Sequence, residues 1–207
     1  MSTLSTILSN KIIAIIRGAD PADVLKIAEA LCEGGVRCLE ITLNSTDALQ
    51  LIESLATKMN GSITVGAGTV LNAKAVHDAV SAGAKFIISP MLDVDVIHKT
   101  KDLGAVSIPG AYTPTEIFSA FSNGGDLIKV FPSSGGPSFI REVLAPFPYI
   151  PLMPTGGINL TNIGDFRNAG AVAFGMGKSL VDTRQKATPE YLQQITANAK
   201  KFIAAIS

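Results

Sequence analysis

Lys129 sits in the middle of Asp126-Leu127-Ile128-Lys129-Val130-Phe131-Pro132, an apolar run of strand length. Side chains on a strand alternate between faces, so Leu127, Lys129 and Phe131 share one side while Ile128 and Val130 share the other. A lysine among apolar neighbours is costly unless it is paired, neutral or chemically used. Burial disfavours the ammonium form, and the neutral amine it leaves is the species that attacks a ketone to form a Schiff base. The competing, purely structural reading is a lysine at a strand end that snorkels to water. Glu40 is the second anchor. In Cys38-Leu39-Glu40-Ile41-Thr42-Leu43, the Leu/Ile/Leu face suits packing on helices, which turns Glu40 and Thr42 to the interior. An interior carboxylate needs a partner, and Lys129 is the interior cation expected to provide one. Ion pairs of this kind stabilise poorly compared with packed apolar side chains, which favours a chemical use. In that use Lys129 is the amine nucleophile and Glu40 the general acid/base that moves protons around it.

Eight strand-then-helix units must carry these residues. The strands are expected at Ile12 to Ile16, Val36 to Leu43, Ile63 to Ala67, Phe86 to Pro90, Ala105 to Ile108, around Lys129, Ile150 to Met153 and Ala171 to Phe174. A short helix over residues 3–10, with Leu4, Ile7 and Leu8 on one face, precedes them. Asp20-Pro21 and Thr113-Pro114-Thr115-Glu116 are helix starts with a capping residue and a proline in the first turn. A further helix is expected from Asn159 to Arg167. Strands apolar on both faces, alternating with amphipathic helices, imply a parallel sheet covered on both sides. Eight units close most simply into a single (β/α)8 TIM barrel over residues 1–207, with a short N-terminal helix. An open doubly wound sheet is the alternative. No Gly-x-Gly-x-x-Gly follows the first strand, which weakens the dinucleotide-binding version of it.

In such a barrel the site is built at the C-terminal ends of the strands. Those ends carry Arg17, Asn44, Thr69, Pro90, Lys129, Phe131, Thr155 and Lys178, a polar set for strands otherwise made of Ile, Val, Leu and Ala. Gly156-Gly157 and Gly175-Met176-Gly177-Lys178 follow the last two strands. Glycines there let backbone N–H groups approach an anion, a frequent phosphate site in barrels, and Lys178 adds a point charge. Glycine pairs after strands are also plain turns.

The composition narrows the function classes. Of 207 residues 47% are hydrophobic and 16% charged, with 17 basic and 17 acidic side chains and no run of either, which argues against a nucleic-acid surface. Cys32 and Cys38 are the only cysteines, expected as free thiols in a reducing compartment. No apolar stretch has the length of a membrane span and the N-terminus lacks a secretory pattern, so the expected location is the cytoplasm. His77 and His98 fall inside predicted helices without a second ligand at metal-binding spacing, so no metal is expected.

The motifs, taken together, resemble the class I aldolases of 2-keto-3-deoxy-6-phosphogluconate and 4-hydroxy-2-oxoglutarate. They are Ile-Ile-Arg-Gly at 15–18, Glu-Ile-Thr-Leu at 40–43, Val-Gly-Ala-Gly-Thr-Val at 65–70 and Ile-Ser-Pro at 88–90. Ile-Pro-Gly at 108–110, Thr-Pro-Thr-Glu at 113–116, Lys-Val-Phe-Pro at 129–132 and Pro-Thr-Gly-Gly-Ile at 154–158 complete the set. The resemblance implies a homotrimer without metal or cofactor that reversibly cleaves the phosphorylated keto-deoxy sugar acid to pyruvate and glyceraldehyde 3-phosphate. It extends to 4-hydroxy-2-oxoglutarate, cleaved to pyruvate and glyoxylate. It implies Lys129 as the Schiff-base lysine and Glu40 as the proton-transfer carboxylate. Thr69 falls near the pyruvyl carboxylate, Pro90 and Phe131 shape the pocket, and Thr155, Gly156, Gly157 and Gly177 meet the substrate tail and phosphate. Two positions depart. Asn44 stands where the gluconate enzymes carry arginine, and Leu-Asn-Ser at 43–45 and Phe-Pro-Ser-Ser at 131–134 look like the sister enzyme of 2-keto-3-deoxy-6-phosphogalactonate. Lys178 replaces a serine of the phosphate loop. Arg17 is then expected to hold the substrate carboxylate and Lys178 to meet the phosphate. The alternatives are the galactonate aldolase itself, a sugar-phosphate epimerase on the same barrel, and a barrel that binds a sugar phosphate without turning it over.

Overall fold

The computed structural model describes residues 2–206. The chain begins with α1 (Thr3–Asn10), capped by the Ser2 side chain. Strands and helices then alternate: β1 (Ile12–Ile16), α2 (Pro21–Glu33), β2 (Cys38–Thr42), α3 (Ala48–Lys58), β3 (Thr64–Gly68), α4 (Ala73–Ser81), β4 (Phe86–Ile88), α5 (Val94–Asp102) and β5 (Val106–Ile108). They continue with β6 (Gly110–Ala111), α6 (Pro114–Ser122), β7 (Ile128–Val130), α7 (Gly136–Leu144), β8 (Leu152–Pro154), α8 (Ile163–Asn168), β9 (Phe174–Met176) and α9 (Pro189–Ile206). The caps legible in the sequence form as expected. Asp20 accepts the Ala22 N–H ahead of Pro21, and Thr113 and Glu116 complete a reciprocal capping box.

All strand pairs are parallel. Six strands form a curled sheet in the order β5-β4-β3-β2-β1-β9, and three form a second sheet, β6-β7-β8. The expected eight-stranded sheet is therefore seen, among the described residues, as nine short strands in two sheets, and the fold is mixed α/β with parallel strands. Pro109 explains the extra strand: it has no N–H to give to a ladder, so the fifth strand is interrupted between Ile108 and Gly110. The Pro109 carbonyl still accepts the Lys129 N–H at 2.9 Å, and a Thr155–Gly175 bridge links the end of β8 to β9.

Three sequence expectations move. The last strand begins at Phe174 rather than Ala171, because Ala171 N–H is spent on the Phe166 carbonyl at the exit of α8. The helix expected from Asn159 forms only from Ile163, since Asn159 and Asn162 use their side chains to cap backbone N–H groups in a preceding turn. On α1 only Ile7 is buried, while Leu4 is half-buried and Leu8 exposed.

The interior is layered. Ile7, Ile13, Cys38, Phe86, Ile88, Ile108, Leu127, Met153 and Ala173 form an inner apolar cluster. The outer core, which holds Leu39, Ile41, Ile128 and Val130, lies between sheet and helices. Cys38, Leu127 and Met153 stand two residues before Glu40, Lys129 and Thr155 on their strands. At about 3.3 Å per residue the polar layer therefore sits about 6.6 Å above an apolar floor. No helix among the described residues is long and apolar enough to cross a membrane.

Candidate active site

β2 and β7 deliver the two charged residues. Glu40 pairs in register with Ile15 of β1 and Gly66 of β3, and Lys129 with Gly110 of β6 and Met153 of β8. Alternation puts the outer neighbours of both in the sheet–helix core, as the sequence pattern implies. Glu40 is 1% exposed and Lys129 4% exposed. The expected ion pair between them is absent among the described residues, and neither Glu40 oxygen has a hydrogen-bond partner. The two groups influence each other only through space. Burial raises the Glu40 pKa, an effect opposed by the positive charges of Lys129 and Arg17. Burial likewise lowers the Lys129 pKa; Glu40 opposes that shift and Arg17 adds to it. Both groups are biased towards their neutral forms. Lys129 Nζ lies over the face of the Phe131 ring, 4.8 Å from its centroid.

Glycines make room for this layer. A Cβ on Gly68 would collide with the Glu40 side chain from Cγ to Oε1, and one on Gly175 would collide with Thr155 Oγ1. Thr155 is 4% exposed and its hydroxyl, like the Glu40 oxygens, has no hydrogen-bond partner. Buried polar atoms are nearly always satisfied, so three orphaned acceptors or donors in one layer mark a place built for a ligand.

A cavity of about 820 Å³ opens at this end of the strands; Thr155 lines it and Glu40 does not. Of the residues singled out in the sequence, Arg17, Lys129, Phe131, Thr155, Gly156, Gly157, Gly177 and Lys178 line it. Gly156 and Gly157 have φ of +92° and +75°, a region that L side chains rarely adopt, so this turn requires glycine. Ser133 Oγ fixes the turn by donating to the Gly156 carbonyl. Thr69 does not line the cavity but accepts a 3.3 Å hydrogen bond from Arg17 Nη2, and it holds a left-handed φ of +56°, a strained position for a threonine. Pro90 is half-buried after β4, and Gly110 passes its backbone too closely for a Cβ. Asn44 is exposed in the turn after β2, and the structure does not bring it to the cavity wall.

The sequence reading missed the loop after β9. Asp182, Thr183 and Arg184 line the cavity beside Lys178. Arg184 grips Asp182 through Nε and Nη2 at 2.8 and 2.7 Å and pulls the Asp182 carboxyl down to about 2. Its position after the last strand was the one available signal. No group of three His, Cys, Asp or Glu side chains able to hold a metal occurs among the described residues.

The parallel strands thus bring a buried lysine, a buried carboxylate and a glycine-lined cavity together at their C-terminal ends in an α/β fold. The chain belongs to the KDPG and KHG aldolase family, whose model matches residues 4–197. It is 34% identical over 189 residues to a probable 2-dehydro-3-deoxy-6-phosphogalactonate aldolase of Rhizobium meliloti, covering 87% of this chain and 89% of the relative. It is 35% identical over 187 residues to a 2-dehydro-3-deoxy-phosphogluconate aldolase of Pseudoalteromonas atlantica, covering 89% and 86%. Among solved structures it resembles a KDPG aldolase from Legionella pneumophila in which pyruvate was captured as a covalent carbinolamine. The TM-score is 0.84, with 26% identity over 97% of each chain.

Proposed function

We propose that this chain is a Schiff-base aldolase that reversibly cleaves 2-keto-3-deoxy-6-phosphogluconate to pyruvate and glyceraldehyde 3-phosphate, with no cofactor or metal. The observation that carries the reading is Lys129, buried, biased towards the neutral amine and lining the cavity, with Glu40, buried, unpartnered and biased towards the acid, near enough to act on it through space.

The neutral Lys129 amine attacks the C2 ketone, and the oxygen of the resulting carbinolamine takes a proton from Glu40 and leaves as water. The iminium cation that forms stands near the new carboxylate, which is now stabilised by it. Glu40 then removes the proton of the C4 hydroxyl, the C3–C4 bond breaks, the aldehyde departs, and the bonding electrons enter the enamine. Protonation at C3 and hydrolysis return pyruvate and the free amine. Arg17 meets the pyruvyl carboxylate with Thr69 at its side. Phe131 and Pro90 shape the pocket, while Thr155, Gly156, Gly157, Gly177 and Lys178 meet the substrate tail and its phosphate. Asn44, outside the cavity wall, has no contact role in this scheme.

A second reading is the 2-keto-3-deoxy-6-phosphogalactonate substrate, supported by Leu-Asn-Ser at 43–45 and by the Rhizobium relative. 4-Hydroxy-2-oxoglutarate is a further candidate substrate. We also read the two sheets as one closed (β/α)8 barrel forming a single domain over residues 1–207, assembled as a cytoplasmic homotrimer. The Pro109–Lys129 hydrogen bond and the Thr155–Gly175 bridge support closure, and the family resemblance supports the trimer. Borohydride reduction in the presence of pyruvate, followed by peptide mass spectrometry, tests the core of the reading. A reduced pyruvyl adduct on Lys129 is expected; no adduct on the folded protein, or one on another lysine, removes it. Comparing cleavage of the gluconate and galactonate epimers decides between the two sugar acids.

A further inference from the structure

The peptide between Arg17 and Gly18 is held from both edges by hydroxyls from distant turns. Thr183 Oγ1, in the loop after β9, donates to the Arg17 carbonyl at 2.6 Å. Ser45 Oγ, in the turn after β2, accepts the Gly18 N–H at 2.9 Å. That carbonyl and that N–H belong to one planar unit, so the two contacts fix its orientation and with it the direction in which the Arg17 side chain leaves the backbone. Gly18 has a φ of +63° with nothing within 4 Å of where a Cβ would stand, so the two hydroxyls hold a turn that no neighbour packs against on that side.

Both hydroxyls are themselves anchored. Ser45 Oγ is 2.8 Å from Thr42 Oγ1 at the end of β2. The Thr183 loop is fixed by the Tyr191 hydroxyl of α9, which accepts the Asp182 N–H at 2.7 Å and donates to the Asp182 carbonyl at 3.0 Å. Arg17 is exposed, and the hydrogen bond its side chain makes among the described residues is the 3.3 Å bond to Thr69. A long side chain held so lightly depends on its backbone for aim.

We propose that Thr183 and Ser45 are positioning residues that aim the Arg17 guanidinium at the carboxylate of the keto-acid substrate. Thr183 also ties the cavity's β9 wall to the carboxylate end of the site. The inference rests on the aldolase reading, in which Arg17 meets that carboxylate.

The test is the pyruvate concentration that half-saturates borohydride trapping at Lys129, measured for the wild type and for Thr183→Val, Thr183→Ser, Ser45→Ala, Arg17→Ala and the Arg17→Ala/Thr183→Val double variant. Thr183→Val is expected to raise that concentration about threefold to tenfold, the range of one hydrogen bond, with trapping at saturating pyruvate unchanged. Thr183→Ser keeps the donor and stays within about twofold of the wild type. The double variant matches Arg17→Ala, because no guanidinium remains to be aimed. Ser45→Ala repeats the Thr183→Val effect and stands in for it if that variant does not fold. A Thr183→Val curve that superimposes on the wild type, or a double variant weaker than Arg17→Ala by the full Thr183→Val factor, overturns the inference while leaving the aldolase reading intact. A wild type that traps no pyruvate removes both.

Discussion

Gly68 offers a way to move Glu40 without changing it. An alanine Cβ at this position would lie 2.5 Å from Glu40 Cγ and closer still to the carboxyl group. Carbon atoms in contact prefer separations of about 3.5 Å, so the Glu40 side chain must retreat by about 1 Å. A displacement of that size at a reacting group costs about 100-fold in rate, or about 2.7 kcal/mol of barrier. Overpacking of a filled interior also costs about 1–3 kcal/mol of stability. Gly66 is the internal control. It lies two residues earlier on the same strand, and a Cβ there would collide with the Phe86 ring in the apolar floor. Gly66→Ala is expected to lose comparable stability with a much smaller loss of turnover. Steady-state cleavage rates and denaturant titrations of both variants measure the two quantities. Equal losses of turnover in the two, or full activity in Gly68→Ala, would show that the room Gly68 leaves for Glu40 does not serve the chemistry.

Glu40→Gln should lower turnover by about 10²–10⁴-fold, the range of a lost general acid/base. The folded protein keeps the Glu40 proton longer than the unfolded chain does, so its contribution to stability is present below about pH 4.3 and lost as pH rises through the higher folded value. The glutamine variant should accordingly gain stability over the wild type on going from acid to neutral pH; an unchanged difference in melting temperature would contradict this. Lys129→Met should give no borohydride adduct. Because burial leaves Lys129 with fewer protons in the folded state, wild-type stability should climb towards about pH 10.4, and the methionine variant should lack that part of the climb in denaturant titrations. Burial pushes the Cys38 thiol up to about 12, so Cys38 should resist alkylation in the folded protein at mildly alkaline pH. Mass-spectrometric labelling of Cys38 without unfolding would refute this.

Alternation was enough to turn Glu40 and Lys129 inward, because a period of two survives any error in strand ends. The same pattern located the helices, whose caps at Asp20 and Thr113 are local hydrogen bonds between residues two or three apart. What the pattern could not carry was reach. It suggested that Glu40 and Lys129 pair, but contact between side chains on β2 and β7 depends on sheet curvature and side-chain length, and the structure leaves them apart. The interruption at Pro109 and the late start of β9 depend on where single N–H groups go, and hydrophobicity does not record that. The Thr183 hydroxyl meets Arg17 across 166 residues from a loop with no periodicity, so no local signal announced it. The clearance that Gly68 leaves for a neighbour's carboxylate is visible only in three dimensions.

The apolar floor closes the site from below. Ile7 of α1 and its eight neighbours lie under the polar layer, so the substrate and its products come and go on the side of the cavity. Protons that reach or leave the buried Glu40 and Lys129 must then travel by way of the cavity and not through the floor. Protonation of the enamine at C3 by Glu40 would come from the face on which that side chain stands, and a chirally labelled methyl group in the pyruvate product would record that face.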